Sequence, residues 1–193
     1  VLIGNKKARI HHPKDSIRRG VSMVTEDRLM TGIISILSVR ENMSLANLPS
    51  YCNKLKFVQT AREEREVDKM VERMNVKLST PAQPIGSLSG GNQQKAILGK
   101  WLLTKPNVLI LDEPTRGIDV GAKYEIYSLI AKLAAEGMAV ILISSELPEI
   151  MGMADRVITF CEGRITAEFT SNEIEQERIV NAAFGFQNAE ELS

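Results

Sequence analysis

Cysteine, aromatic side chains and charge imbalance are all scarce in this sequence. Two cysteines, Cys52 and Cys161, in 193 residues exclude a disulfide scaffold and read as buried or idle thiols. Lys and Arg total 24, Asp and Glu total 24, and the net charge is +0. That balance gives no support to nucleic-acid binding through bulk positive charge, local basic patches apart. No run approaches the ~20 apolar residues that span a bilayer. The longest, Val108–Leu111 and Ala139–Ile143, have strand length. A signal peptide, an internal repeat and a low-complexity tract are likewise missing. The chain opens at Val1 rather than Met, so a piece of a longer polypeptide is expected. The histidines are confined to His11-His12. With no carboxylate or cysteine cluster beside them, a solvated turn is preferred to a metal site.

What is present is an ordinary globular composition, 44% hydrophobic and 25% charged. A hairpin is expected from Val1–Ile3 and Ala8–His11 around Gly4-Asn5-Lys6-Lys7, then a short helix over Pro13–Arg19 and a strand over Val21–Thr25. Arg28–Ser38 reads as a mostly uncharged loop and Arg40–Leu48 as a helix stopped by Pro49. Thr60–Asn75 carries Val67, Met70, Val71 and Met74 on one stripe, with charges opposite, the pattern of an amphipathic helix. Beyond Pro81 and Pro84 the pattern alternates. Helices are expected over Ser89–Thr104, Val120–Glu136, Glu146–Met151 and Asn172–Phe184, and strands over Val108–Asp112, Met138–Ser144, Arg156–Phe160 and Arg164–Phe169. Continuous apolar strands joined by helices predict an α/β fold with a mostly parallel sheet.

Two segments carry chemistry. In Val108-Leu109-Ile110-Leu111-Asp112-Glu113-Pro114-Thr115 a buried strand ends in two carboxylates, at the end where open α/β sheets bind ligands. Successive side chains point to opposite faces, so the acids have different tasks. Asp112 suits holding Mg²⁺, and Glu113 suits orienting or deprotonating a water that attacks a phosphoryl group. The plainer alternative is a strand exit with solvated acids. In Leu88-Ser89-Gly90-Gly91-Asn92-Gln93-Gln94, Ser89 is a good helix N-cap, and the glycines allow close approach at a helix start whose N–H groups attract anions. The plainer alternative here is a capped helix after a flexible turn.

In this order and spacing the two segments resemble the signature and Walker B motifs of ABC transporter nucleotide-binding domains. Arg116-Gly117-Ile118-Asp119 is similar to the D-loop, Val140–Ser145 to the strand leading to the switch residue, and Glu26 occupies the Q-loop position. Thr115–Lys123, Ser144–Glu149, Val24–Arg28 and Val39–Leu45 look like the second of two tandem ATPase domains in bacterial ribose, galactose, xylose and arabinose importers. The resemblance implies a single domain over residues 1–193, with an α/β core at 1–39 and 105–193 and a helical lobe at 40–104 that ends in the signature helix. It implies ATP and Mg²⁺ as ligands, with Glu113 and Ser145 catalytic, and Ser89, Gly90, Gly91, Asn92, Gln93 and Asp119 contacting nucleotide. Asp112 and Glu26 would face the metal. Implied partners are another nucleotide-binding domain, permease subunits contacted through Glu26–Arg40 and, indirectly, a periplasmic sugar-binding protein, with no nucleic acid. The implied location is the cytoplasmic side of the inner membrane, held there peripherally.

The departures are specific. No Gly-x-x-x-x-Gly-Lys-Ser/Thr phosphate loop occurs, and the Gly99-Lys100 pair reads as helix interior. The family's usual switch His is Ser145, its Q-loop Gln is Glu26, and its signature here ends in Asn92. The chain alone is therefore expected to be inactive and its sheet incomplete, with exposed apolar surface. A non-catalytic half that donates its signature to a partner's ATP site stays open beside the transporting ATPase. A soluble ABC ATPase of DNA repair or translation fits the importer-like details less well.

Overall fold

The computed structural model describes residues 2–3 and 6–186. Packing divides the chain into two compact units, Val1–Ile143 and Ser144–Ser193.

In the first unit, β1 (Leu2–Ile3) pairs antiparallel with β2 (Lys6–Lys7), Leu2 opposite Lys7. The second hairpin strand is thus Lys6–Lys7 rather than Ala8–His11, because this register leaves only residues 4 and 5 between the strands. Val1, Gly4 and Asn5 of the expected hairpin lie outside the described residues. Helix α1 (Pro13–Arg18) starts on a proline whose missing N–H costs nothing in a first turn. The Asp15 carboxylate accepts from the His11 and His12 N–H groups, and these bonds hold its pKa below the ordinary value. His12 is therefore part of a helix start, in line with the bland reading of the histidine pair.

The central sheet is parallel, in the order β3 (Val21–Val24), β4 (Val108–Asp112), β5 (Ala139–Ile143). Between residues 40 and 104 the named elements are all helical: α2 (Val39–Ser44), a 3₁₀ stretch Leu45–Tyr51 containing Pro49, α3 (Thr60–Arg73), a 3₁₀ turn Ile85–Ser87 and α4 (Gly90–Leu102). The expected Arg40–Leu48 helix is split. Ser38 and Glu41 form a capping box that starts α2 early, and the backbone tightens ahead of Pro49, which removes a donor. Of the α3 stripe, Val67, Met70 and Met74 are buried. Residues 28–38 are more ordered than a loop. Asp27 accepts from the N–H groups of Leu29 and Met30 and nucleates a one-turn π-helix, Arg28–Gly32. The unit ends with α5 (Val120–Ala135), whose buried stripe is Ile126, Ile130 and Leu133, followed by β5.

The second unit holds α6 (Leu147–Met153), β6 (Arg156–Cys161), β7 (Arg164–Thr170) and α7 (Gln176–Ala183). Its hairpin turns through Glu162 and Gly163, both at positive φ (49° and 75°), as a two-residue type I′ turn requires. Val157, Phe169 and Ile179 form its core. The expected Asn172–Phe184 helix begins later, because Thr170 and Glu173 cap each other around a separate 3₁₀ turn.

The two faces of the parallel sheet are not equivalent. Ser22, Val24, Leu109 and Leu111 are all buried. On the other face the register aligns Met23, Ile110 and Ile141 in one row, and Met23, Ile141 and Ile143 are 38%, 50% and 45% exposed. Contiguous apolar surface of this kind drives association, and unpaired strand edges add to it. The chain by itself is expected to dimerise or aggregate. Light scattering against concentration, with a thermal melt, measures this; a monomer that melts cooperatively above ~65 °C, the top of the usual mesophile range, would contradict it.

Candidate functional site

The first component is the N-terminus of α4. Ser89 takes the extended N-cap conformation (φ −62°, ψ 155°) but makes no side-chain cap hydrogen bond. Its hydroxyl instead accepts from Asn92 Nδ2 at 2.9 Å, while Asn92 Oδ1 accepts from the Lys77 N–H at 2.8 Å. The polar side chains at this helix start are thus tied to each other and to the Lys77 backbone. Backbone N–H groups of a first helical turn have no intrahelical partner, and they are the donors that attract an anion. Ser89 is exposed and Gly90 half-buried.

Gly91 and Gln93 also pack the helix start. A Cβ on Gly91 would stand 2.5 Å from Ala122 Cβ, so this glycine allows α4 and α5 to touch. Gln93 is buried, and its Nε2 donates to the Leu88 carbonyl at 3.1 Å, which braces the segment ahead of the helix from inside. Two steps further on, Lys95 is 2% exposed and donates to Asn75 O at 2.5 Å and to Glu125 Oε2 at 2.8 Å. That pairing ties α4 to α5 and holds the Glu125 carboxyl below its ordinary range.

The second component is the end of β4. Asp112 is the last strand residue, opposite Ile143 of β5. Glu113 follows with φ 47°, a left-handed conformation that costs a non-glycine residue energy and clusters at functional positions. The Glu113 N–H donates to Ile143 O at 2.9 Å and its carbonyl accepts from the Arg116 N–H at 3.1 Å. A tight turn therefore redirects the chain immediately after the two acids, with Pro114 and Thr115 buried beneath it. Asp119 is exposed and N-caps α5, accepting from the Ala122 N–H at 2.9 Å. Glu26 makes an ion pair with Arg116, so the side chain expected to face a metal faces a guanidinium. Ser145 is exposed and lies in the second unit, two residues ahead of α6.

Among the described residues no group of three or more His, Cys, Asp or Glu side chains is arranged to hold a metal ion. A Mg²⁺ that arrives on a nucleotide needs less, because it takes one or two carboxylates together with phosphate oxygens. Asp112, half-buried at a strand end, fits that demand.

A family model described as ABC transporter matches residues 2–116. The chain belongs to the ABC transporter family. It is 49% identical over 183 residues to a xylose import ATP-binding protein of Ralstonia nicotianae, covering 95% of this chain and 35% of that protein. It is 44% identical over 188 residues to a ribose import ATP-binding protein of Clostridium tetani, covering 97% and 37%. The chain therefore spans about a third of the length of the curated relatives it matches. Among solved structures, an ATP-binding cassette of an ABC transporter in its ADP conformation superposes with a TM-score of 0.76 at 21% identity, covering 94% of this chain and 74% of that one. These similarities bear out the sequence-based reading of an ABC-ATPase α/β fold resembling sugar-importer ATPases.

The sequence names Arg28 and Arg116 only as members of family-like segments and gives neither side chain a role of its own. The available signal was Glu26-Asp27-Arg28, three charges in a row just after a buried strand. Such a run usually means solvated surface, and only the fold reveals that each of the three is engaged.

Proposed function

We propose that this chain is part of an ATP-binding subunit of a bacterial sugar importer, the second of two tandem ATPase domains. The observation that carries the reading is its 44–49% identity, over nearly its whole length, to xylose and ribose import ATP-binding proteins. The helix start at Ser89-Gly90-Gly91-Asn92 would meet the phosphates bound by a second nucleotide-binding domain. Ser89, Gly90 and the first-turn N–H groups act as donors to anionic oxygens, while Gly91 and Gln93 keep the turn in place. Asp119 serves the same interface as the cap of α5. Residues 40–104 form the helical lobe, and the remainder belongs to the α/β core.

Glu113 accepts a proton from, or orients, the attacking water, and Ser145 stands at the sequence position where a charged switch side chain is usual. Mg²⁺, when bound, neutralises charge on the phosphates; Asp112 is the residue that would hold it. Glu26, from the Q-loop position, would face the metal only on leaving its ion pair with Arg116. The membrane subunits dock on Glu26–Arg40, where Leu29, Met30 and Ile36 are 57%, 81% and 86% exposed. A groove lined by Leu37, Leu45, Leu48 and Val58, together with Glu41 and Glu63, adds apolar surface that begins in the same segment, at Leu37. No helix among the described residues is long and apolar enough to cross a membrane, and peripheral attachment at the cytoplasmic face follows from such docking.

The test uses the full-length protein with its membrane subunits. Glu113→Gln is expected to lower Mg-ATP hydrolysis by about 10²–10⁴-fold, the usual contribution of a positioned general base, and to leave ATP binding intact by equilibrium dialysis. Unchanged hydrolysis would remove Glu113 from the mechanism.

A further inference from the structure

We propose that Arg28, assisted by Glu26, is a positioning residue: a clasp that holds the Thr115–Asp119 loop against the first turn of α4. Its bearing on ATP turnover rests on the function proposed above; the clasp itself rests on contacts alone.

The argument begins with Asp27. Its carboxylate accepts from the N–H groups of Leu29 and Met30 at 3.0 and 2.9 Å, and its carbonyl accepts from Thr31 Oγ1 at 2.7 Å. The far end of the same turn is held by Lys100 of α4, whose buried Nζ donates to Gly32 O at 2.5 Å. Arg28 thus projects from a short turn secured at both ends, so its side chain starts from a defined position.

Its guanidinium reaches two successive carbonyls, Nη1 donating to Arg116 O at 2.9 Å and Nη2 to Gly117 O at 3.3 Å. The Arg116 side chain returns to pair with Glu26. One short segment therefore grips the loop twice, once by main chain and once by side chain. Within the loop the Arg116 N–H donates to Glu113 O at 3.1 Å and the Ile118 N–H to Thr115 O at 3.4 Å. Gly117 also takes φ 67°, a conformation glycine enters without steric cost.

The same guanidinium lies on α4. A Cβ at Gly90 would come 3.0 Å from Arg28 Nη2 and 3.6 Å from Gly117 O. Arg28 is the side chain wedged between the helix start and the loop, and its buried Nε has no hydrogen-bond partner among the described residues. An exposed ion pair alone contributes little, so the weight of the clasp falls on Arg28 and a smaller share on Glu26. A lysine cannot replace it, because one ammonium lacks the planar fork that meets two carbonyls at once.

The experiment is amide hydrogen exchange on the nucleotide-free full-length protein, wild type against Arg28→Lys, Arg28→Met and Glu26→Gln. Losing charge-assisted bonds is expected to speed exchange across 116–122 about tenfold in both Arg28 variants. Glu26→Gln, an exposed change that leaves the fold intact, should speed the same amides by a smaller factor. Amides of α3 (60–73) should not change. Wild-type exchange across 116–122 in all three variants overturns the clasp, and so does acceleration in α3 equal to that across 116–122. Steady-state kinetics supply the second readout: kcat for Mg-ATP is expected to fall about tenfold in Arg28→Lys with a smaller change in KM. A full-length wild type that turns over no ATP refutes the proposed function, while the exchange data still decide the clasp.

Discussion

Purified by itself and given Mg-ATP, this chain is expected to release no phosphate above background. Phosphoryl transfer depends on positioning and on electrostatic stabilisation, which ABC and related ATPases draw largely from a loop of backbone N–H groups with a Lys. The sequence contains no Gly-x-x-x-x-Gly-Lys-Ser/Thr run. Its Gly99-Lys100 pair cannot substitute. Both residues lie within α4, a Cβ on Gly99 would be 2.5 Å from Met43 Cε, and Lys100 is 8% exposed and turned onto Gly32 O. Glu113 then has no held phosphate against which to aim a water. A phosphate-release assay decides the matter: turnover near ~1 s⁻¹, common for enzymes, would mean that some other part of the chain cradles the nucleotide.

The second large effect is expected at Gly91. A side chain here meets α5, with Ala122 Cβ at 2.5 Å and Ile118 Cγ2 at 3.5 Å from the position of a Cβ. The nearest atom is a Cβ fixed to a helix backbone, which cannot swing aside as the end of a flexible side chain can. Gly91→Ala should therefore destabilise the full-length protein by about 1–3 kcal/mol through overpacking. Gly91→Asp should cost more, because it also buries a carboxylate at the helix start proposed to face phosphate. Sugar uptake is expected to be lost in Gly91→Asp and retained in Ser145→His, which changes an exposed residue to the family's usual one. Urea melts and uptake assays measure the two effects separately. Wild-type stability in Gly91→Ala would refute the close contact of α4 with α5, and uptake that survives Gly91→Asp but fails in Ser145→His would reverse the assignment of the signature.

This shift in the meaning of Gly91 is typical of what the sequence left open. Two glycines after a Ser at a helix start read as an anion cradle, and Ser89 and Gly90 are at least partly exposed there. Gly91 points to α5 and Gln93 points inward, as helix geometry demands when successive residues turn by about 100°. The sequence pattern names the turn but not which of its residues faces the neighbour. Likewise Glu26 was legible as a Q-loop acid and illegible as the partner of Arg116.

Local periodicity and chain punctuation determined the α/β order, the strand ending in Asp112-Glu113, the buried stripe of α3 and the Glu162-Gly163 hairpin. Each of these depends on residues within a few positions of one another, whose spacing already states which face is apolar and where a backbone must turn. Only the tertiary structure decided that Arg28 bonds carbonyls 88 and 89 residues away, that Lys100 bonds a carbonyl 68 residues back, and that Lys95 joins Glu125 across 30. Charged side chains look alike in sequence whether solvated or engaged. Their partners are chosen by how β3, α4 and the loop after β4 come together, and no short-range pattern carries that information.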